Sequence, residues 1–290
     1  MADINDNKNS ISIIIPSNQP ETWERVINSY RSKKVDIEIL FIGPKNCKSK
    51  LPENVRFINS NFKVSQCLEI GLKYSKNYYI FQSADDAFLE GSEDPLLDMI
   101  IFANSNPQNL TCLNYSINGE KVSSNEMNLI SNNPKTKVPV AGLISREMIK
   151  KVGSYNKKYI GSYADVDLYL RINNAGYKFL WSNITLNEFR EKVSNKMLSF
   201  RFLGHDIKYL KHNWVKFDSI NNEYSIRDES LEKFEAFDLS SIEKLEQGSG
   251  TSFIFKLKLF VYLMNFGVFR YSVLIFYKLY RKFILRSKFY

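Results

Sequence analysis

Residues 11–15, four Ile and one Ser, form an almost unbroken apolar run rich in β-branching, the pattern of a strand buried on both faces of a parallel sheet. Pro16 ends it. Beyond Pro20, which suits a first helical turn, Trp23, Val26, Ile27 and Tyr30 recur at i, i+3, i+4 and i+7, so a helix is predicted to cover the sheet. Residues 35–42 and 55–58 read as further strands. Val64, Cys67, Leu68, Gly71 and Leu72 mark a second amphipathic helix, and a strand at 78–81 leads into Ser83-Ala84-Asp85-Asp86. This alternation predicts an α/β class with a doubly wound, mixed sheet and flanking helices, whose ligands gather at the carboxyl ends of the strands. Asp85 and Asp86 fall at such an end.

Further on, the pattern predicts a helix over 95–104, a strand over 110–117 before an Asn118-Gly119 turn, and a strand over 138–145 before a helix at 146–152. A helix over 164–175 is capped by Gly176, residues 177–181 return to extended structure, and a basic helix covers 204–214. From 218 to 246 nine acids face three bases, and Gly248-Ser249-Gly250 makes a flexible joint. The division that follows is a flexible start at 1–10, a main domain at 11–215, an acidic linker or helical segment at 216–252 and a tail at 253–290.

Composition narrows the class. The 290 residues, 44% hydrophobic and 24% charged, suffice for a packed core and exclude a disordered chain. Cys47, Cys67 and Cys112, odd in number and without paired spacing, read as reduced core thiols, not a disulfide scaffold or zinc ribbon. The net charge of +9 sits at one end: from 247 to 290 there are eight basic residues and no acid. The body before that point is nearly neutral, so nucleic acid is not an expected partner. No segment reads as a secretory signal, and a cytoplasmic location is expected.

The chemistry-bearing residues form an ordered set. It comprises Ile11-Ser-Ile-Ile-Ile-Pro16, Phe81-Gln-Ser-Ala-Asp-Asp86, and Gly142-Leu-Ile-Ser-Arg146, which leads through Val152-Gly153-Ser-Tyr155 to Ala164-Asp-Val-Asp-Leu168, Leu170-Arg171 and Gly176-Tyr177. In order and spacing this set resembles the family 2 glycosyltransferases of GT-A fold, over about residues 11–215. The resemblance implies an inverting, metal-assisted hexosyltransferase-type enzyme that moves a sugar from a nucleotide sugar, a UDP-sugar being the expected donor, to a glycan or lipid-linked acceptor of polysaccharide biosynthesis. It places the metal-contacting acid at Asp85, with Asp86 adjacent and Ser83 where the family has its first acid. Donor binding then falls to Pro16, Ser83, Asp85 and Asp86, the general base to Asp165, and the acceptor side to Asp167 and Arg171. Where the family often has a metal-contacting His the comparable stretch is 186–191, in which Glu188 could serve, so Mg²⁺ or Mn²⁺ would meet Asp85, Asp86 and Glu188; the blander use of Glu188 is a solvated surface acid.

The residue types suit that chemistry. A departing diphosphate accumulates negative charge, which a hard cation on carboxylate oxygens neutralises. Attack by an acceptor hydroxyl needs a base within hydrogen-bond reach. The same acids have blander uses: Asp85 and Asp86 suit a turn, and Asp165 and Asp167 suit the first turn of a helix. His205 and His212 are seven apart and do not match the helical i, i+4 zinc pair. The chain also departs from the family. Ile42-Gly43-Pro44-Lys45 replaces the usual nucleobase-binding acid, Leu68-Glu69 replaces an Arg, and Ala164 replaces a Glu. These departures motivate the alternative of a relative whose catalysis has decayed, a peripheral-membrane binding protein.

On a helical wheel seven of the eight basic residues of 253–290 fall on one side, with Lys258 the exception. The longest uncharged run, 259–269, is eleven residues, too short to cross a bilayer. Thirteen aromatic side chains are too many for one narrow oligomerisation seam, the competing use of such a helix in a homo-oligomer. They point to an anionic membrane surface, on its inner face, as the partner.

Overall fold

The computed structural model describes residues 7–47, 50–61, 63–121, 126–130, 137–189 and 200–238, all within one of two compact units, Met1–Leu239. The chain opens with β1 (Ser10–Pro16), a short 3₁₀ turn (Pro20–Thr22), α1 (Trp23–Ser29), β2 (Asp36–Gly43), β3 (Val55–Asn59), α2 (Val64–Tyr74) and β4 (Tyr79–Gln82). β5 (Ala87–Glu90), α3 (Pro95–Ser105), β6 (Asn109–Ile117), β7 (Glu120–Lys121), β8 (Glu126–Asn128), β9 (Lys137–Pro139) and β10 (Gly142–Ser145) follow. The rest is α4 (Arg146–Val152), α5 (Ala164–Asn174), β11 (Lys178–Glu188), α6 (Phe200–Trp214), β12 (Val215–Asp218) and β13 (Glu223–Ile226).

Among the described residues the main sheet has nine strands in the order β3-β2-β1-β4-β10-β6-β11-β5, with β7 paired to β6. β3, β2, β1 and β4 are parallel; β10 runs antiparallel to both β4 and β6. It is the mixed, helix-flanked α/β sheet that the alternating pattern predicts. The interior strand β1 has Ile11, Ile13, Ile14 and Ile15 fully buried, each contributing roughly 1.5–3 kcal/mol of apolar burial. Because β1 lies between β2 and β4, the loops after all three open on one rim.

Local chemistry fixes the ends of the elements. Asp94 caps α3 by accepting from the Leu97 N–H at 3.1 Å, with Pro95 at the first helical position. Ser145 caps α4 in the same way through the Met148 N–H. Asn118 and Gly119 both take positive φ, 54° and 78°, the geometry of a two-residue hairpin turn between β6 and β7.

Four features differ from the sequence expectation. The run at 138–145 divides, β9 pairing with β8 and β10 joining the main sheet; Pro139 has no N–H to carry the first ladder on. β5, four residues long, is absent from the sequence reading because so short a run after an acidic turn has no readable period. β11 runs to Glu188, well past 181, through an irregularity between Trp181 and Thr185. The segment from 216, expected as an acidic linker or helix, begins as the β12–β13 hairpin and then folds back on the body. Both Lys157 and Lys158 pair with Glu235 at 2.9 Å, and Phe234 lies 4.5 Å from the Arg171 guanidinium. Glu235, and Glu232 through the Tyr209 hydroxyl, thus have partners in the domain, which composition alone does not reveal. The tail at 253–290 and the joint at 248–250 lie outside the described residues, and no described helix is long and apolar enough to cross a membrane.

Candidate active site

The rim is organised by Asp85. Its Oδ2 accepts from the Ser17 hydroxyl at 2.7 Å and from the backbone N–H groups of Asn18 and Gln19, both at 2.9 Å. Ser17 in turn accepts from the Trp23 indole N–H at 2.6 Å, and Trp23 stacks on Phe41 of β2 with ring centroids 4.1 Å apart. A chain of contacts therefore runs from the core through Trp23 and Ser17 to the carboxylate, and the loop after Pro16 is tied to the loop after β4. Asp85 is only 6% exposed. Burial pushes its carboxyl up from the usual Asp range; the bonds from Ser17, Asn18 and Gln19 pull it down, and neighbouring Asp86 pushes it up again.

The sequence reading gives Asp85 to a metal, whereas here one of its oxygens is committed to three protein donors. The remaining donor-side residues do converge. Ser83 donates its N–H to the Ile14 carbonyl, two residues before Pro16, and its hydroxyl lies 2.6 Å from the Tyr30 hydroxyl. Asp86 follows at a half-buried position, and its carbonyl accepts the Phe189 N–H at 2.6 Å. Glu188 pairs with Ala87 across β11 and β5, which brings it beside Asp86 although the two are about a hundred residues apart in sequence. Its carboxylate accepts from the Tyr115 hydroxyl. Among the described residues no group of three or more His, Cys, Asp or Glu is arranged to hold a metal.

At the same rim Gly43 ends β2, within the 42–45 stretch that departs from the resembled family's nucleobase-binding acid. A Cβ built there would stand 1.7 Å from the Ser17 carbonyl oxygen. No side chain fits unless the Ser17 loop moves, so the missing acid follows from how closely β2 meets that loop. Gly43→Ala is expected to destabilise the protein by about 3 kcal/mol and lower its melting temperature by about 6–12 °C, measurable by calorimetry; an unchanged transition would mean that the loop yields freely.

Asp165 starts the first turn of α5 and is half-buried. Its surroundings are dense enough that burial pushes its carboxyl up from the usual Asp range, opposed by the nearby Val166 N–H, its own N–H and the Gln82 side chain. Since Gln82 is the last residue of β4, Asp165 and the 83–86 loop share one rim. Asp167 and Arg171, expected on the acceptor side, are placed elsewhere. Asp167 is 1% exposed and accepts from Tyr159, the Trp214 indole at 2.9 Å and Arg171 Nε at 2.9 Å. Arg171 also donates to the Val152 and Ser154 carbonyls, both at 2.6 Å. The pair pins α5 to the 152–154 loop and to the end of α6, with both side chains turned to the inner face of the helix by their i, i+4 spacing.

Asp206, Tyr163, Gln82 and Tyr155 contribute to the site with little sequence signal. Asp206, fully buried on α6, accepts from the consecutive N–H groups of Ile160, Gly161 and Ser162 and so holds the loop that enters α5. His205 Nδ1 lies 2.8 Å from its Oδ1. Tyr163, the residue before α5, takes a left-handed φ of 63°. Gln82 and Tyr155, joined by a 2.9 Å hydrogen bond, complete the support beneath Asp165. Lone polar residues in irregular loops carry no period, and their partners are distant in sequence.

No family model and no curated protein matches the chain. Among solved structures it is similar to the 1–349 piece of TarS from S. aureus, at 13% identity and a TM-score of 0.48, over 61% of this chain and 60% of that one. The same piece in complex with UDP matches at 11% identity and a TM-score of 0.49, over 63% of this chain and 61% of that one. For TarS itself the values are 12% and 0.49, over 62% of this chain and 37% of that one. The chain thus spans about 60% of the length of the TarS piece.

Proposed function

We propose that the chain is an inverting glycosyltransferase that moves a sugar from a nucleotide-sugar donor to a hydroxyl of a glycan or lipid-linked acceptor. The observation that carries this reading is the shared rim: Asp165, a carboxylate of raised pKa, lies near Gln82, the last residue of β4, and Asp85 and Asp86 stand three and four residues after it. Asp165 takes the proton of the acceptor hydroxyl while its oxygen bonds to the anomeric carbon; the bond from that carbon to the diphosphate breaks on the opposite face, inverting the centre. Asp85 holds the 17–19 loop that frames the donor. Asp86 and Glu188 are the residues that would hold Mg²⁺ or Mn²⁺, which when bound supplies charge neutralisation at the leaving diphosphate. The basic aromatic tail at 253–290 would keep the enzyme in the cytoplasm on the inner face of a membrane, close to a lipid-linked acceptor.

The second reading is a binding protein without catalysis. It is favoured by the absence of a nucleobase acid at Gly43 and by the commitment of Asp85 to the loop. Titration calorimetry with UDP in Mg²⁺, Mn²⁺ and chelator, together with UDP release from a panel of nucleotide sugars, separates the two. Saturable, metal-enhanced binding at micromolar level with UDP release supports the enzyme. Binding without release supports the second reading, and silence in both assays removes both.

A further inference from the structure

We propose that the cavity bounded by the end of α5, the start of β11 and the end of β13 is a second binding site, which takes the phosphate group of a phosphorylated sugar on Arg227 and Lys178. The cavity has a volume of about 240 Å³, and its polar lining includes Asn173, Asn174, Lys178 and Arg227. It is remote from the carboxylates of the rim, because Asn174 stands nine residues beyond Asp165 on the same helix, about 14 Å along its axis. The site therefore does not depend on how the rim is read. It exists because the chain after 215 turns back as the β12–β13 hairpin, so composition shows only an acidic segment here.

Arg227 is one of three bases among nine acids in 218–246, yet its side chain pairs with no acid among the described residues. Its backbone is fixed, the N–H donating to the Trp214 carbonyl at 2.7 Å. Its Nε is closed off from solvent and has no hydrogen-bond partner among the described residues. A buried cationic donor without an acceptor is costly, and an oxyanion removes that cost. Lys178, exposed on the same lining, adds a second positive charge with no acidic partner among the described residues. Asp228 also lines the cavity, but it is exposed and faces Lys216 Nζ at 3.5 Å, so its charge is offset. The carbonyls at the end of a helix would repel an anion, but here they are already bonded. Those of Arg171, Ile172 and Asn173 accept from the N–H groups of Ala175, Tyr177 and Gly176 at 3.0, 3.3 and 3.0 Å, and that of Ala175 accepts from Lys151 Nζ at 2.7 Å.

The size and the remaining lining point to a sugar behind the phosphate. The volume is roughly eight times that of one water in the liquid, more than a bare phosphate fills. Asn173 and Asn174 offer both amide N–H and carbonyl groups, which suits sugar hydroxyls, while Leu170 and Ile226 offer apolar surface to the C–H face of a ring. No aromatic ring of the described residues lines the cavity to stack a nucleobase.

The test uses the full chain labelled with ¹⁵N-arginine, in which the Arg227 Nε–H signal is identified by its loss in Arg227→Gln. Glucose 1-phosphate is the probe, compared with inorganic phosphate, glucose and UDP. Glucose 1-phosphate is expected to bind saturably by calorimetry, to move the Arg227 Nε–H signal, and to bind about tenfold more weakly to Arg227→Gln and to Lys178→Glu. Lys178 is exposed, so Lys178→Glu keeps the wild-type melting temperature and reports on the site alone. Excess UDP leaves the binding in place. Absence of saturable binding, an unmoved Nε–H signal, or undiminished affinity in Lys178→Glu overturns the proposal. So does binding of inorganic phosphate or glucose as tight as that of glucose 1-phosphate, and so does displacement by UDP, which would place the sugar phosphate at the rim. A protein that binds glucose 1-phosphate in this way but releases no UDP from any nucleotide sugar keeps this site and loses the reading of the rim.

Discussion

Asp85→Ala is expected to lower the melting temperature by about 4–8 °C and to weaken UDP binding more than tenfold with or without a divalent metal, whereas Asp85→Asn keeps both close to wild type. The first half follows from what Oδ2 holds. Truncation leaves the Ser17 hydroxyl and the Asn18 and Gln19 N–H groups without their acceptor at a position only 6% exposed. Orphaned buried donors cost about 1–3 kcal/mol, and a domain of this size loses about 2–4 °C per kcal/mol. Asparagine retains a carbonyl oxygen where Oδ2 stood and sheds a charge that burial disfavours, so the loop keeps its anchor. If the carboxylate itself binds the metal, the two variants behave differently: Asp85→Asn melts normally yet loses metal-enhanced binding as completely as Asp85→Ala. Calorimetry and thermal melting on the pair therefore decide between a clamp and a ligand, a choice that the alanine variant alone leaves open.

The parts of the fold legible in the sequence are those in which one side-chain period repeats. The Ile run of β1 has to be buried on both faces, and it is an interior strand, between β2 and β4. The i, i+3, i+4 pattern from Trp23 places α1 over the sheet, with Trp23 and Val26 buried. Asp165 is at the rim for the same local reason: an acid in the first turn of a helix that follows a loop is held at that helix's end. Where a side chain's role depends on a partner elsewhere, the pattern gives no direction. Asp167 and Arg171 are two and six residues beyond Asp165, and α5 turns both inward against Trp214 and the 152–154 loop. Glu188 comes to lie opposite Ala87, the residue after Asp86, only because β5, too short to be read, pairs with the end of β11. Asp206 has no neighbour of its own type in sequence, yet three loop N–H groups converge on it.

Asp165→Asn is expected to reduce transfer about 10³-fold while the protein melts at the same temperature or higher. Both directions follow from the same environment. Asn cannot take up the acceptor proton, so the step that needs a base loses it; UDP affinity, which does not depend on that proton, stays within about twofold. Stability moves the other way because the folded surroundings disfavour the ionised carboxyl of Asp165, burial being the largest cause. The folded protein therefore holds this proton more tightly than the unfolded chain. Below the unfolded value of 3.8 the wild-type residue is neutral in both states and the variant gains little. As pH rises through the interval up to the raised folded value, the unfolded chain releases its proton first, the wild type loses stability, and the advantage of Asp165→Asn grows. Melting both proteins across that interval, with UDP release measured at each pH, checks the two directions together. A variant that loses activity and stability in parallel would place Asp165 with Asp167 and Asp206, among the acids that hold the structure together, and a variant that transfers at the wild-type rate would remove it from the reaction.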